Sequence, residues 1–179
     1  YAIVGAYGED GDGDVGTNAG AAYIFYRTGI NTWDQVMKLI PNNPGAHDHF
    51  GLSVSMSGDY AIVGAYREDG GSGDPIIDAG VAYVFRRIGT NIWDTGTRLA
   101  ASEAQVSDWF GYSVSIDGDY AVVGAYLENG GAGDPYQDAG AVYIFHRIGV
   151  NTWESSATLT ASDKDANDYL GISVSIHEE

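Results

Sequence analysis

The chain contains no cysteine. Disulfide staples, thiolate metal sites and cysteine nucleophiles are therefore excluded, while the redox compartment is left open. Basic residues are scarce too: 8 Lys+Arg stand against 25 Asp+Glu, a formal net charge of −17. Nucleic acid and anionic membrane surfaces both need basic patches, so neither is an expected partner. No apolar run approaches the roughly 20 residues that a membrane-spanning helix requires. No stretch shows a helical period, and neither a Gly-x-Ser-x-Gly elbow nor a carboxylate pair singled out by spacing points to hydrolysis. An enzyme is not expected. A signal peptide is also missing, but Tyr1 falls in the middle of a repeat, so the natural N-terminus is expected to lie elsewhere.

What is present is enough for a folded domain. An apolar fraction of 44% with 12% aromatics is too high for a disordered chain, despite 26 glycines. The dominant signal is repetition. Tyr1-Ala-Ile-Val-Gly-Ala-Tyr7 returns as Asp59-Tyr-Ala-Ile-Val-Gly-Ala-Tyr66 and as Asp119-Tyr-Ala-Val-Val-Gly-Ala-Tyr126. Tyr23, Tyr83 and Tyr143 share one register, as do Trp33, Trp93 and Trp153, and Phe50, Phe110 and Leu170. The period is 60 residues, with the first loop one residue short. Such self-similarity marks a repeat architecture.

Four strand positions fit each repeat. Position A is Ser-Val-Ser-Ile116, alternating small polar with apolar residues as a two-faced strand should. Asp117-Gly118 predicts a tight type I′ hairpin. Position B, Tyr120 to Tyr126, is apolar throughout and suits a strand buried on both faces; Gly124 within it predicts a close approach of another backbone or ring. An acidic, glycine-rich loop leads to position C, Ala139-Gly-Ala-Val-Tyr-Ile-Phe145, and a turn near Ile148-Gly149 leads to position D from Trp153. Four short antiparallel strands per repeat describe a propeller blade; a β-solenoid fits less well, since its coils are shorter. The fold class expected is all-β, a β-propeller of four-stranded antiparallel blades with three blade equivalents in residues 1–179 (repeats about 1–59, 60–119 and 120–179). The strand order is offset by one, running B-C-D, A-B-C-D twice, then A. In a closed propeller such an offset joins the last strand to the first blade. Three blades are fewer than normally close, so a larger propeller or a combination of copies is expected.

Phe50-Gly51-Leu-Ser-Val-Ser55, Phe110-Gly111-Tyr-Ser-Val-Ser115 and Leu170-Gly171-Ile-Ser-Val-Ser175, together with Val-Gly-Ala-Tyr, resemble FG-GAP repeats, as found in integrin α-subunit propellers and many microbial and algal extracellular proteins. The resemblance covers the whole chain. It implies a propeller outside the cell, used for adhesion or assembly rather than chemistry. Two departures stand out. Tyr7, Tyr66 and Tyr126 replace the family's proline, and the A–B turns (Ser57-Gly-Asp59, Asp117-Gly-Asp119) are too short for the calcium loop that integrins carry there.

Strand alternation puts the B–C and D–A loops, with most of the acids, on one side of the disc. Arg27, Arg86, Arg87 and Arg147 lie beside the C–D turns on the other. Such a polarised disc suits self-association into a dimer, ring or filament. Calcium is the cofactor considered, with Asp10, Asp12 and Asp14 spaced by glycine as the leading ligands. Asp69, Asp74 and Asp78, and Asp134 and Asp138, extend the reading to the other loops; the alternative is a solvated loop that only keeps the protein soluble. His47-Asp48-His49 has a zinc-like look, but only the Asp recurs, as Asp108 and Asp168, and a structural role accepting backbone N–H groups is expected for it. The recurring rings are expected to fill the space between blades, with Trp109, Tyr112 and Tyr169 as exposed exceptions. These three, with Arg86 and Arg87, are the expected partner-contact residues. The function expected is an extracellular structural or adhesive module that mediates protein contacts; the alternative is a carbohydrate-binding propeller.

Overall fold

A computed structural model describes residues 1–10, 17–69, 76–129 and 136–178. Every regular element among them is a β-strand, and all ladders within the three sheets are antiparallel. The first sheet has the order β1 (Ala2–Ala6), β2 (Ala21–Arg27), β3 (Trp33–Leu39). The second joins β4 (Val54–Ser57), β5 (Tyr60–Ala65) and β6 (Val81–Gly89), with position D split into β7 (Ile92–Trp93) and β8 (Thr97–Leu99), both paired with β6. The third runs β9 (Ser113–Asp117), β10 (Tyr120–Ala125), β11 (Ala141–Gly149), β12 (Thr152–Leu159). These are the B-C-D and A-B-C-D units of the repeat, and the sheets do not close into a ring.

In β5 and β10 position B forms a strand buried on both faces, as its unbroken apolar run predicts, and every residue of β5 is buried; in β1, which has no A strand beside it, Val4 is exposed. Two core clusters form between sheets. One joins Phe50 to Tyr83, Phe85 and Trp93; the other joins Phe110 to Tyr143, Phe145 and Ile62. Phe50 lies 5.8 Å from Tyr83 and Phe110 5.3 Å from Tyr143, ring to ring. Tyr60 of β5 meets Trp153 of the next sheet at 6.0 Å, so the recurring rings do fill the space between blades. Position D is irregular in the second blade for a local reason. The Asp94 carboxylate accepts N–H bonds from Arg86 and Gly96, taking backbone groups out of the ladder.

Two details differ from the sequence reading. The A–B hairpin has Gly58-Asp59 or Gly118-Asp119 at its centre, with positive φ at the glycine only. That is the type II′ pattern, not I′, because I′ requires positive φ at both positions. The last A position, residues 172–176, forms no ladder on β1; it lies beside β9, where Ile176 N–H donates to Ser115 Oγ (3.2 Å).

That last contact belongs to a series. Val114, Ile116 and Gly118 N–H donate to the hydroxyls of Ser53, Ser55 and Ser57 at 2.9, 3.2 and 3.4 Å. The A strands of consecutive blades therefore lie side by side, joined through serine hydroxyls. The alternating serines satisfy N–H groups that an inner edge strand would otherwise leave unpaired.

Candidate interaction face

The B–C and D–A loops meet on one side of the sheets, pinned backbone to backbone. His47 N–H donates to Thr17 O, Ser107 to Ile77 O, and Asn167 to Gln137 O, at 2.9–3.0 Å. Within each D–A loop the recurring aspartate folds back: Asp48, Asp108 and Asp168 accept the N–H of Gly45, Gln105 and Asp165 at 2.5–2.6 Å. The structural role expected for this residue is what the loop shows. The residues flanking it take positive φ: His47 and His49, Ser107 and Trp109, Asn167 and Tyr169. No glycine relieves this conformation; the aspartate bond and the inter-loop bonds hold it.

Asp48 and Asp108 are 5% and 1% exposed. Burial pushes their carboxyls up, to about 6 for Asp48 and about 7 for Asp108, against the lowering effect of the bond from Gly45 or Gln105; Glu68 and Glu128 nearby raise them further. Asp108 Oδ1 is buried with no hydrogen-bond partner. The glutamates at the base of the first two B–C loops pair with position D, Glu9 with Lys38 at 2.8 Å and Glu68 with Arg98 at 3.4 Å.

The base of each B–C loop closes on itself. Asp10 and Asp69 accept the N–H of Asn18 and Asp78 at 2.9 and 2.8 Å, and Asn129 does the same for Asp138 at 2.8 Å. Of the eight residues proposed as cation ligands, Asp10 and Asp69 thus cap the loop, while Asp78 and Asp138 contribute the N–H that is capped. Asp12, Asp14, Asp74 and Asp134 lie outside the described residues. Among the described residues no group of three or more His, Asp or Glu side chains is arranged to hold a metal ion. The aspartates of the A–B turns are engaged by arginines. Asp59 pairs with Arg87 and Asp119 with Arg147, and these arginines also stack on Tyr1 and Tyr60 (5.0 and 4.5 Å).

Across this face runs a continuous belt of rings. Tyr7 meets His49 at 5.6 Å, and His49 stacks on Tyr66 at 5.3 Å with Nδ1 2.9 Å from the Tyr66 hydroxyl. Tyr66 meets Trp109 at 5.0 Å and Tyr112 at 5.4 Å. Tyr112 meets Tyr126 at 4.4 Å, and Tyr126 meets Tyr169 at 5.8 Å. The Arg67 guanidinium lies 5.6 Å from the Tyr66 ring and 5.3 Å from Trp109, a cation–π clamp. Burial pushes Tyr126 up to about 12, with Tyr112, Tyr66 and Tyr169 adding to the effect.

The structure brings together Trp109, Tyr112 and Tyr169, three of the five expected contact residues. Arg86 and Arg87 lie at the other end of the strands, by the C–D turn, and Arg87 is committed to Asp59 and Tyr1. Sequence reasoning missed Tyr7, His49, Tyr66, Arg67 and Tyr126 as members of the belt. The signal was there: the tyrosine that stands in place of the family's proline is the residue that extends the belt in every repeat.

The geometry accounts for the Phe-Gly pair as well. Gly51, Gly111 and Gly171 have φ near +90° and press their carbonyls onto Gly5, Gly64 and Gly124 of the preceding blade. A comparison with protein families places the FG-GAP repeat on residues 33–85, 93–145 and 153–179, each match starting at the recurring tryptophan. No curated protein matches the chain. With three repeats in register over most of its length, and with both glycines of the motif in mutual contact, the chain belongs to the FG-GAP repeat family.

Proposed function

We propose that this chain is an extracellular structural or adhesive module that works by protein–protein contact through the face built from its B–C and D–A loops. FG-GAP repeats support a propeller-type interaction module, and proteins outside the cell are where such repeats are typically found. The single observation that carries the reading is the ring belt, half-exposed beside acidic loops. Aromatic residues of this kind are enriched at protein interfaces, whereas a solubility surface has no need of them. No helix of the described residues is long and apolar enough to cross a membrane.

The test is the mass and shape of the native particle, by light scattering and electron microscopy, at several concentrations and in EDTA. Association with itself or with a partner, weakened by substitutions at Trp109 and Tyr112, supports the reading. A particle that stays at 19.0 kDa and engages nothing through this face overturns it. Calcium is the second reading for the same loops. It rests on the density of carboxylates in these loops, and a calcium-dependent rise in melting temperature tests it.

A further inference from the structure

We infer that the Tyr126–Tyr169 ring pair takes the guanidinium or ammonium group of a basic segment on a protein partner, an inference that rests on the interaction-module reading and gives that partner its chemistry. Two equivalent ring cradles differ in whether the chain itself supplies a cation. Tyr66 and Trp109 meet edge to face at 5.0 Å and 69°, and Arg67 fills the cradle from within the chain. Tyr126 and Tyr169 meet at 5.8 Å and 68°, almost the same arrangement one repeat later. There the residue after the tyrosine is Leu127, so no arginine is supplied from that position. The first repeat has Gly8 at that position and pairs Tyr7 with His49. Histidine is the poorer ring, because it becomes a cation itself in acid.

The charge of the surroundings selects the occupant. Asp138 lies close enough to Tyr126 to act on it electrostatically, and the chain as a whole carries −17. An acidic or sulfated ligand is repelled, and a neutral sugar gains nothing from this field, whereas a basic segment gains from both the field and the ring faces. Another internal pair of the same kind on this side is Lys164 over the Tyr136 ring at 5.6 Å. Rings beside these loops thus already accept cations from within the molecule.

The experiment titrates the intact chain at physiological salt with three probes: a capped Gly-Gly-Arg-Gly-Gly peptide, its citrulline counterpart, and a neutral chitin oligosaccharide. Ring resonances and calorimetry provide the readout. The arginine peptide is expected to bind with perturbation of Tyr126 and Tyr169, and the isosteric neutral peptide is not. Leu127→Arg supplies the missing internal cation and should weaken binding about fivefold. Arg67→Leu opens the Tyr66–Trp109 cradle and should add a second equivalent of peptide. Equal binding of the citrulline peptide, preferential binding of the sugar, or unchanged binding by both variants overturns the inference. If Leu127→Arg fails to fold, Arg67→Leu decides alone, since absence of a second equivalent is then fatal. None of these failures removes the interaction module itself, which stands or falls on the particle measurement.

Discussion

Gly64 and Gly111 touch backbone to backbone across two blades: a Cβ on Gly64 would lie 1.9 Å from the Gly111 carbonyl oxygen. Gly111 N–H in turn donates to Gly124 O of its own blade at 3.0 Å. One residue therefore fixes both the spacing between blades and the start of strand A, and neither partner can move without breaking a ladder.

Gly64→Ala is accordingly expected to cost about 3 kcal/mol or more, above the usual range for an added methyl, because backbone rather than a flexible side chain is in the way. Chemical denaturation of the variant beside Gly58→Ala gives the comparison. Gly58 has open space around it but a φ of +57°, so its penalty is conformational and expected near 1 kcal/mol.

The serine series between A strands makes a second prediction. Ser55→Ala leaves Ile116 N–H without the acceptor it has at 3.2 Å and should cost about 1–2 kcal/mol. Ser55→Thr retains a hydroxyl and should recover part of the loss. Hydrogen exchange at the Ile116 amide is the direct readout, and unchanged protection in the alanine variant contradicts the proposed pairing.

At the loop bases the protein contains its own control. Asn129 caps Asp138 N–H as Asp69 caps Asp78 N–H, both at 2.8 Å, so the cap needs an oxygen but no charge. In EDTA, Asp69→Asn should leave the melting temperature nearly unchanged, while Asp69→Ala should cost about 1 kcal/mol. If calcium is ligated by this carboxylate, Asp69→Asn will also lose a calcium-dependent increment of melting temperature, which separates the two roles.

Asp108 predicts a pH dependence. Its carboxyl titrates at about 7 in the folded chain, above the ordinary value of 3.8, so the folded state holds this proton more tightly than the unfolded state does. The resulting stabilisation is complete below about pH 4 and is lost as pH rises through 7. Asp48, at about 6, acts in the same direction over a lower window. Melting temperature should therefore fall from pH 5 to pH 8. Asp108→Asn should flatten that slope and gain stability at pH 8, by at most about 4 kcal/mol for a shift of some three pH units. A variant whose pH profile parallels the parent's refutes the assignment.

The repeat, the strand positions and the Gly124 contact were legible because each is written in local spacing: a 60-residue register, a period of two, a glycine inside an apolar run. The belt was harder to read. Its members come from three different positions of the repeat, after strand B, before the Phe-Gly pair and at Tyr112, and only the inter-loop hydrogen bonds bring those positions together. Acid content pointed to cation ligands, but Asp10 and Asp69 are used locally, as loop caps. The sequence shows how many carboxylates a loop has; whether a backbone N–H already occupies them depends on the fold of the loop.

The serine hydroxyls have a direction. The serines of β4 offer oxygen to the amides of β9, and Ser115 of β9 in turn offers oxygen to the amide of Ile176, so both junctions have the same sense. Whole repeats are therefore interchangeable parts. Tandem duplication or deletion of a 60-residue unit would change the length of the array while creating no new kind of interface, and a unit inserted in reverse would find no match at either side.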